Sequence, residues 1–121
     1  MRIFKTRWFN KAAHKAKIKD VDLCKAIKEV MEGKADDLGG GVYKKRLNQN
    51  RHRSIVLAKG ENYWVYEFLF AKKDMDNISD QELENFRILA KAYADLKVTQ
   101  LDQLLREKAL VEICHEKNDS I

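Results

Sequence analysis

No proline occurs among the 121 residues, glycine is limited to five and cysteine to two. No stretch reads as a proline-rich spacer or low-complexity linker, and no internal repeat divides the chain. No apolar run approaches the roughly 18 residues a membrane span needs, which favours a soluble protein. Met1-Arg2-Ile3-Phe4-Lys5 lacks the apolar core and small-residue cleavage site of a secretory signal. Cys24 and Cys114 form no CxxC and have no histidine at metal-ligand spacing. They are expected to be buried, reduced thiols of a cytoplasmic protein. Also missing are GxSxG, HExxH and a P-loop, and the glycine run at 39–41 has no Lys-Ser/Thr after it to cradle a phosphate. His14, His52 and His115 are far apart in sequence. Neither a metal nor another cofactor is expected.

What is present is charge, unevenly placed. The net charge is +5, with 45% hydrophobic residues, enough for one modest core and hence one domain over 1–121. Residues 1–73 hold 18 Lys/Arg against 8 Asp/Glu, a net of +10, whereas 74–121 hold 6 against 11, a net of −5. Such asymmetry suggests one face for a polyanion and another for a different partner.

The patterning predicts an α+β fold: a small antiparallel meander with two helices before it and helices after it. A short strand covers 2–6. A helix follows from about Trp8 to Lys17, and a second starts at Asp20 as N-cap, with Cys24, Ile27, Val30 and Met31 in helical period before Gly33. Ala35 to Gly41 reads as a connection. Strands are expected at Val42–Leu47, about Arg53–Lys59 and Tyr63–Ala71, joined by Asn48-Gln49-Asn50 and Gly60-Glu61-Asn62. The last strand is apolar nearly throughout, so it should be central, with Trp64 and Tyr66 as packing residues. Ser79 and Glu82 fit a capping box for a helix to about Leu96. Thr99 to about Glu107 forms another helix, and Val111-Glu112-Ile113 alternates like a closing strand.

Candidate chemistry concentrates on the strands. Lys44, Lys45, Arg46, Arg51, Arg53, Lys59, Lys72 and Lys73 fall within 33 residues that hold only Glu61 and Glu67 as acids. Alternation puts Lys44 and Arg46 on one face, and Lys45 on the other with Tyr43 and Leu47. Lysines and arginines are ordinary on a solvated sheet, but here they could also hold phosphates beside aromatic residues that stack bases. RNA can be cleaved by its own 2′-OH attacking the adjacent phosphate. A protein then has to orient that attack, neutralise the pentavalent phosphate and move protons. Arginine binds phosphate through parallel donors, and a lysine crowded by cations can lose its proton readily enough to act as a base.

The order strand, two helices, meander, C-terminal helix resembles the RelE/HigB-like toxins of bacterial toxin–antitoxin pairs. So do the glycine-rich approach to the meander, the segment from Phe68-Leu69-Phe70-Ala71-Lys72-Lys73 to Asn77-Ile78, and Ala90-Lys91-Ala92-Tyr93. The resemblance spans about 2–115. It implies a ribosome-dependent endoribonuclease that cuts messenger RNA during translation, with a cognate antitoxin, a helix-turn-helix DNA-binding protein, and no membrane partner. By position it assigns Lys44 and Arg46 to the phosphate and to proton transfer, Arg53 to the scissile phosphate and Lys73 to the transition state. Lys45, Arg51, Lys59 and Lys72 are then expected to bind RNA. Where such toxins carry a base-orienting Tyr or His, this chain has Ser79, the expected helix cap, which leaves Tyr66, Phe68 or His52 as substitutes. Other relatives of this fold inhibit DNA gyrase and lack the paired strand cations, so Lys44, Arg46 and Arg53 weigh against that activity. A degenerate, non-cleaving RNA-binding module is the remaining alternative.

Overall fold

The computed structural model describes residues 1–59 and 63–115. Its elements run β1 (Arg2–Thr6), α1 (Arg7–Lys15), α2 (Asp20–Met31), β2 (Asp36–Gly39), β3 (Val42–Leu47), β4 (His52–Lys59), β5 (Tyr63–Ala71), α3 (Asp80–Ala94), α4 (Val98–Arg106) and β6 (Leu110–Ile113). The strands form one sheet in the order β2-β3-β4-β5-β1-β6, in which only β1 and β5 run parallel. The expected meander is β3-β4-β5. The turn expected at Gly60-Glu61-Asn62 lies outside the described residues.

Each face of the sheet has its own core. Phe9 and Ala13 of α1 and Leu23, Ala26, Ile27 and Val30 of α2 pack with Val56 and Tyr66 on one face. Ala90 of α3 and Leu101 of α4 pack with Phe4, Val42, Ile55, Leu57, Val65 and Phe70 on the other. β5 lies between β4 and β1 and is buried from both sides, as its composition anticipates. Its register slips: Ile55 pairs with Phe68 but Val56 with Tyr66, leaving Glu67 as the extra residue of a β-bulge. The slip turns Tyr66 toward α2, where its hydroxyl donates to the Leu23 carbonyl at 2.7 Å, and Phe68 toward α3.

Several boundaries move for local reasons. The Thr6 hydroxyl accepts from the Phe9 amide at 3.0 Å, so α1 starts at Arg7, and Lys17 at φ 61 lies beyond its end. Asp20 is not the cap of α2. Its carboxylate meets the buried Lys5 ammonium at 2.6 Å, while Asp22 accepts from the Lys19 amide at 3.1 Å. Met31 is exposed, and Leu23 and Ala26 fill the stripe in its place. Ser79 and Glu82 do form the capping box of α3, and 110–113 is a strand.

Two larger corrections concern segments far apart in sequence. Part of the expected connection at 35–41 is an edge strand, β2, which turns into β3 through Gly39, Gly40 and Gly41, all left-handed. At Gly40 a Cβ would stand 2.8 Å from Arg87 Cγ, so glycine is required there for space as well as for φ. Nor are the cysteines reduced thiols. Cys24 and Cys114 are joined as a disulfide with Cα atoms 5.5 Å apart. β6 pairs beside β1, and α2 covers that edge, so the fold closes the 90-residue separation.

Candidate nucleic-acid site

The β3–β4 hairpin sets the geometry of the basic face. Arg46 pairs directly with Arg53, which in turn pairs with Phe70 on β5. Lys44, two residues along β3, shares that face, and its ammonium reaches Asn77 Oδ1 at 3.4 Å and Asp36 Oδ2 at 3.7 Å. Like charges directly opposed across two strands destabilise a sheet, so packing does not account for the Arg46–Arg53 pair. Arg46 is exposed. Arg53 is only 7% exposed, and its Nη1 donates to the carbonyls of Asn50 at 2.9 Å and His52 at 3.3 Å.

Those carbonyls belong to a constrained loop. Asn48, Gln49 and Asn50 all have positive φ, of 53°, 55° and 70°. Non-glycine residues pay about 1–2 kcal/mol each for this conformation, asparagine less than most. The Arg51 amide closes the turn on the Asn48 carbonyl at 3.1 Å, and the Arg53 guanidinium holds it from below.

Beside the loop is a surface hollow of about 570 Å³ lined by Arg51, His52, Lys72, Lys73 and Asp76. The Lys72 amide donates to the Arg51 carbonyl at 2.9 Å, fixing the turn after β5 against the hairpin. His52 Nδ1 lies 3.2 Å from the Asn48 side-chain amide nitrogen. That nitrogen only donates, so Nδ1 accepts and the neutral ring carries its proton on Nε2. Burial holds the imidazole below the usual histidine range, Arg51 and Lys73 push the same way, and Asp74 opposes them.

The eight expected cations thus fall into three places. Lys44, Arg46 and Arg53 share one sheet face. Arg51, Lys72 and Lys73 gather around the hollow with His52. Lys45 and Lys59 join neither group. Lys45 is on the opposite face, clamped to Glu29 Oε1 at 3.1 Å and the Lys34 carbonyl at 3.0 Å, and it holds the Glu29 carboxyl below the usual range. Lys59 ends β4 six residues from Arg53, about 20 Å away at strand rise. His52 gained its place from the loop conformation, for which the sequence offered only three polar residues in a row.

The second core face carries an aromatic line. Trp8 stacks on Phe68 with ring centroids 5.0 Å apart, and Phe68 in turn lies 5.8 Å from Phe86 and 6.0 Å from Phe70. Under α3, the Tyr93 hydroxyl donates to Glu67 Oε1 at 3.4 Å, while Glu67 Oε2 is buried without a partner. Burial pushes the Glu67 carboxyl up to about 7. Among the described residues no group of His, Cys, Asp and Glu could hold a metal, and no helix is long and apolar enough to cross a membrane.

The sequence model of the RelE toxin of the RelE/RelB toxin–antitoxin system matches residues 1–113. Comparisons with curated proteins and with solved structures return no match.

Proposed function

The chain belongs to the RelE toxin family, and from that premise we propose that it is a ribosome-dependent endoribonuclease that cuts messenger RNA. The observation that carries this reading is the opposed pair Arg46–Arg53 with Lys44 on the same face. Such a cation row has a cost for the fold and a use for a phosphate. Exposed Arg46 contacts the scissile phosphate and neutralises its pentavalent state. Lys44, between Asn77 and Asp36, is positioned at the 2′-OH side. Arg53 presents charge from below and fixes the loop that shapes the site. Lys73 meets the developing charge from the hollow, and Arg51 and Lys72 hold the flanking backbone. The His52 Nε2–H donates a hydrogen bond to a phosphate oxygen, the 2′-OH proton passes to Lys44 in its unprotonated amine form, and the leaving 5′ oxygen takes a proton from the Lys73 ammonium. The bond formed is 2′-O–P and the bond broken is P–O5′, so the products are a 2′,3′-cyclic phosphate and a 5′-hydroxyl, with no metal.

Such a site orients its substrate weakly, which is why the ribosome is invoked to hold the message. The cognate antitoxin is proposed to be a helix-turn-helix protein. The acidic segment 74–121 offers it contacts that the basic face would not make. The site of action is proposed to be the cytoplasm. The test is primer extension on a message translated in a purified system, with and without ribosomes. Discrete in-frame cuts only with ribosomes are expected. An uncut message, with DNA supercoiling by gyrase inhibited, would replace this reading.

A further inference from the structure

We infer that Trp8 is a stacking platform for a base of the bound RNA, with Lys11 and Lys15 holding the adjoining phosphates. The inference rests on the reading of the basic face as an RNA site and extends that site onto α1.

Trp8 is 51% exposed, although Phe9 next to it is fully buried. A tryptophan needed only to anchor α1 would bury its ring. This one lays its ring nearly parallel to Phe68, at 19°, and among the described residues has no other ring contact. A half-open indole held flat by a ring behind it is pre-set to receive a second π-face, and every base has one.

The surroundings suit a nucleic acid. Trp8, Lys11, Ala12 and Lys15 recur at i, i+3, i+4 and i+7, so they form one stripe of α1. Ala12 leaves room between the long side chains, and the surface hollow there, about 630 Å³, is also lined by His14. No acidic residue occurs in α1. Neither Lys11 nor Lys15 makes an ion pair among the described residues, unlike Lys45 and Lys5, which the fold uses. An aromatic plane followed by unpaired cations is the arrangement that tracks single-stranded RNA.

Position ties this stripe to the cation row. β1 ends at Thr6, one step after Lys5 pairs with Tyr66, so α1 begins beside the last half of β5. Trp8 reaches Phe68, Phe68 leads to Phe70, and Phe70 is the cross-strand partner of Arg53, itself opposite Arg46. Arg46 and Trp8 thus stand at the two ends of one line of side-chain contacts through β5. Ser79 stands where an aromatic base-orienter was expected, and it is spent on the α3 cap.

The experiment reads Trp8 directly. In a Trp64→Phe background all indole emission comes from Trp8, and the protein is titrated with a single-stranded oligoribonucleotide while its cleavage of a translated message is followed in parallel. Quenching of Trp8 is expected on binding. Trp8→Ala is expected to weaken binding about 5- to 100-fold, with Trp8→Phe recovering most of it. Lys11→Ala with Lys15→Ala, both exposed and so safe for folding, should flatten the salt dependence of log Kd by a slope of about 1.4. Unquenched Trp8, or unchanged affinity and salt slope in these variants, would overturn the inference even if the wild type cuts the message. Trp8-dependent binding with no cutting would instead sustain it and remove the nuclease.

Discussion

Arg46 and Arg53 show what single residues give up in stability to make the proposed site. Directly opposed like charges cost a sheet roughly 0.2–1 kcal/mol, and Arg46 has no hydrogen bond in return among the described residues. Arg46→Ala should therefore leave thermal stability equal or slightly raised, by roughly 0.2–1 kcal/mol, checked by thermal or urea unfolding at low salt. Arg53→Ala differs, because its guanidinium also satisfies the Asn50 and His52 carbonyls. Losing activity in that variant would not separate chemistry from loop collapse, so Arg46 is the informative position. Glu67 pays its cost elsewhere. Its folded value of about 7 exceeds that of an exposed glutamate, so the folded state binds the extra proton. The stability this confers is full below about pH 4 and is lost as pH rises through 7. Glu67→Gln should accordingly stabilise the protein by roughly 1–3 kcal/mol at pH 8 and by little at pH 4, read from unfolding curves at the two pH values. An equal effect at both would show that the carboxyl does not ionise in place.

Elements explain what holds the residues where they are. The Cys24–Cys114 disulfide ties α2 to the residue after β6 and closes a loop of 90 residues. Reduction, or Cys24→Ser, should lower stability by about 2–4 kcal/mol and loosen β6 first, a difference measurable by hydrogen exchange of the β1–β6 amides. Unchanged protection would mean that Arg2–Glu112, bonded twice at 2.9 Å, suffices for that edge. The same bond illustrates which features could be read from sequence. Ser79–Glu82, the helical stripes and the apolar run of β5 are local patterns, each set by neighbours within a turn or a strand. The disulfide depends on the sheet order and could not be inferred from spacing. β2 was hidden because Asp36-Asp37-Leu38-Gly39 has no strand-like composition; its ladder with β3 and the Arg87 bond to the Leu38 carbonyl, 2.5 Å, make it one. Alternation did separate Lys44 and Arg46 from Lys45, but the bulge at Glu67 and the left-handed loop at 48–50 have no periodic signature. His52 and Trp8 owe their positions to those irregularities.

At the scale of the whole molecule, the charge asymmetry of the chain is built into the fold. The basic residues 1–73 supply α1, the hairpin and the turn after β5, whereas the net-negative remainder supplies α3, α4 and β6. The cation row on β3 and β4 is the centre of this account. Its most direct test is single-turnover cleavage of a message on pre-assembled ribosomes, comparing wild type with Arg46→Ala. The account predicts wild-type cutting and a fall of about 10²- to 10³-fold in the variant, the loss typical of a preorganised donor to a developing charge. A variant that cuts as fast as wild type would contradict it.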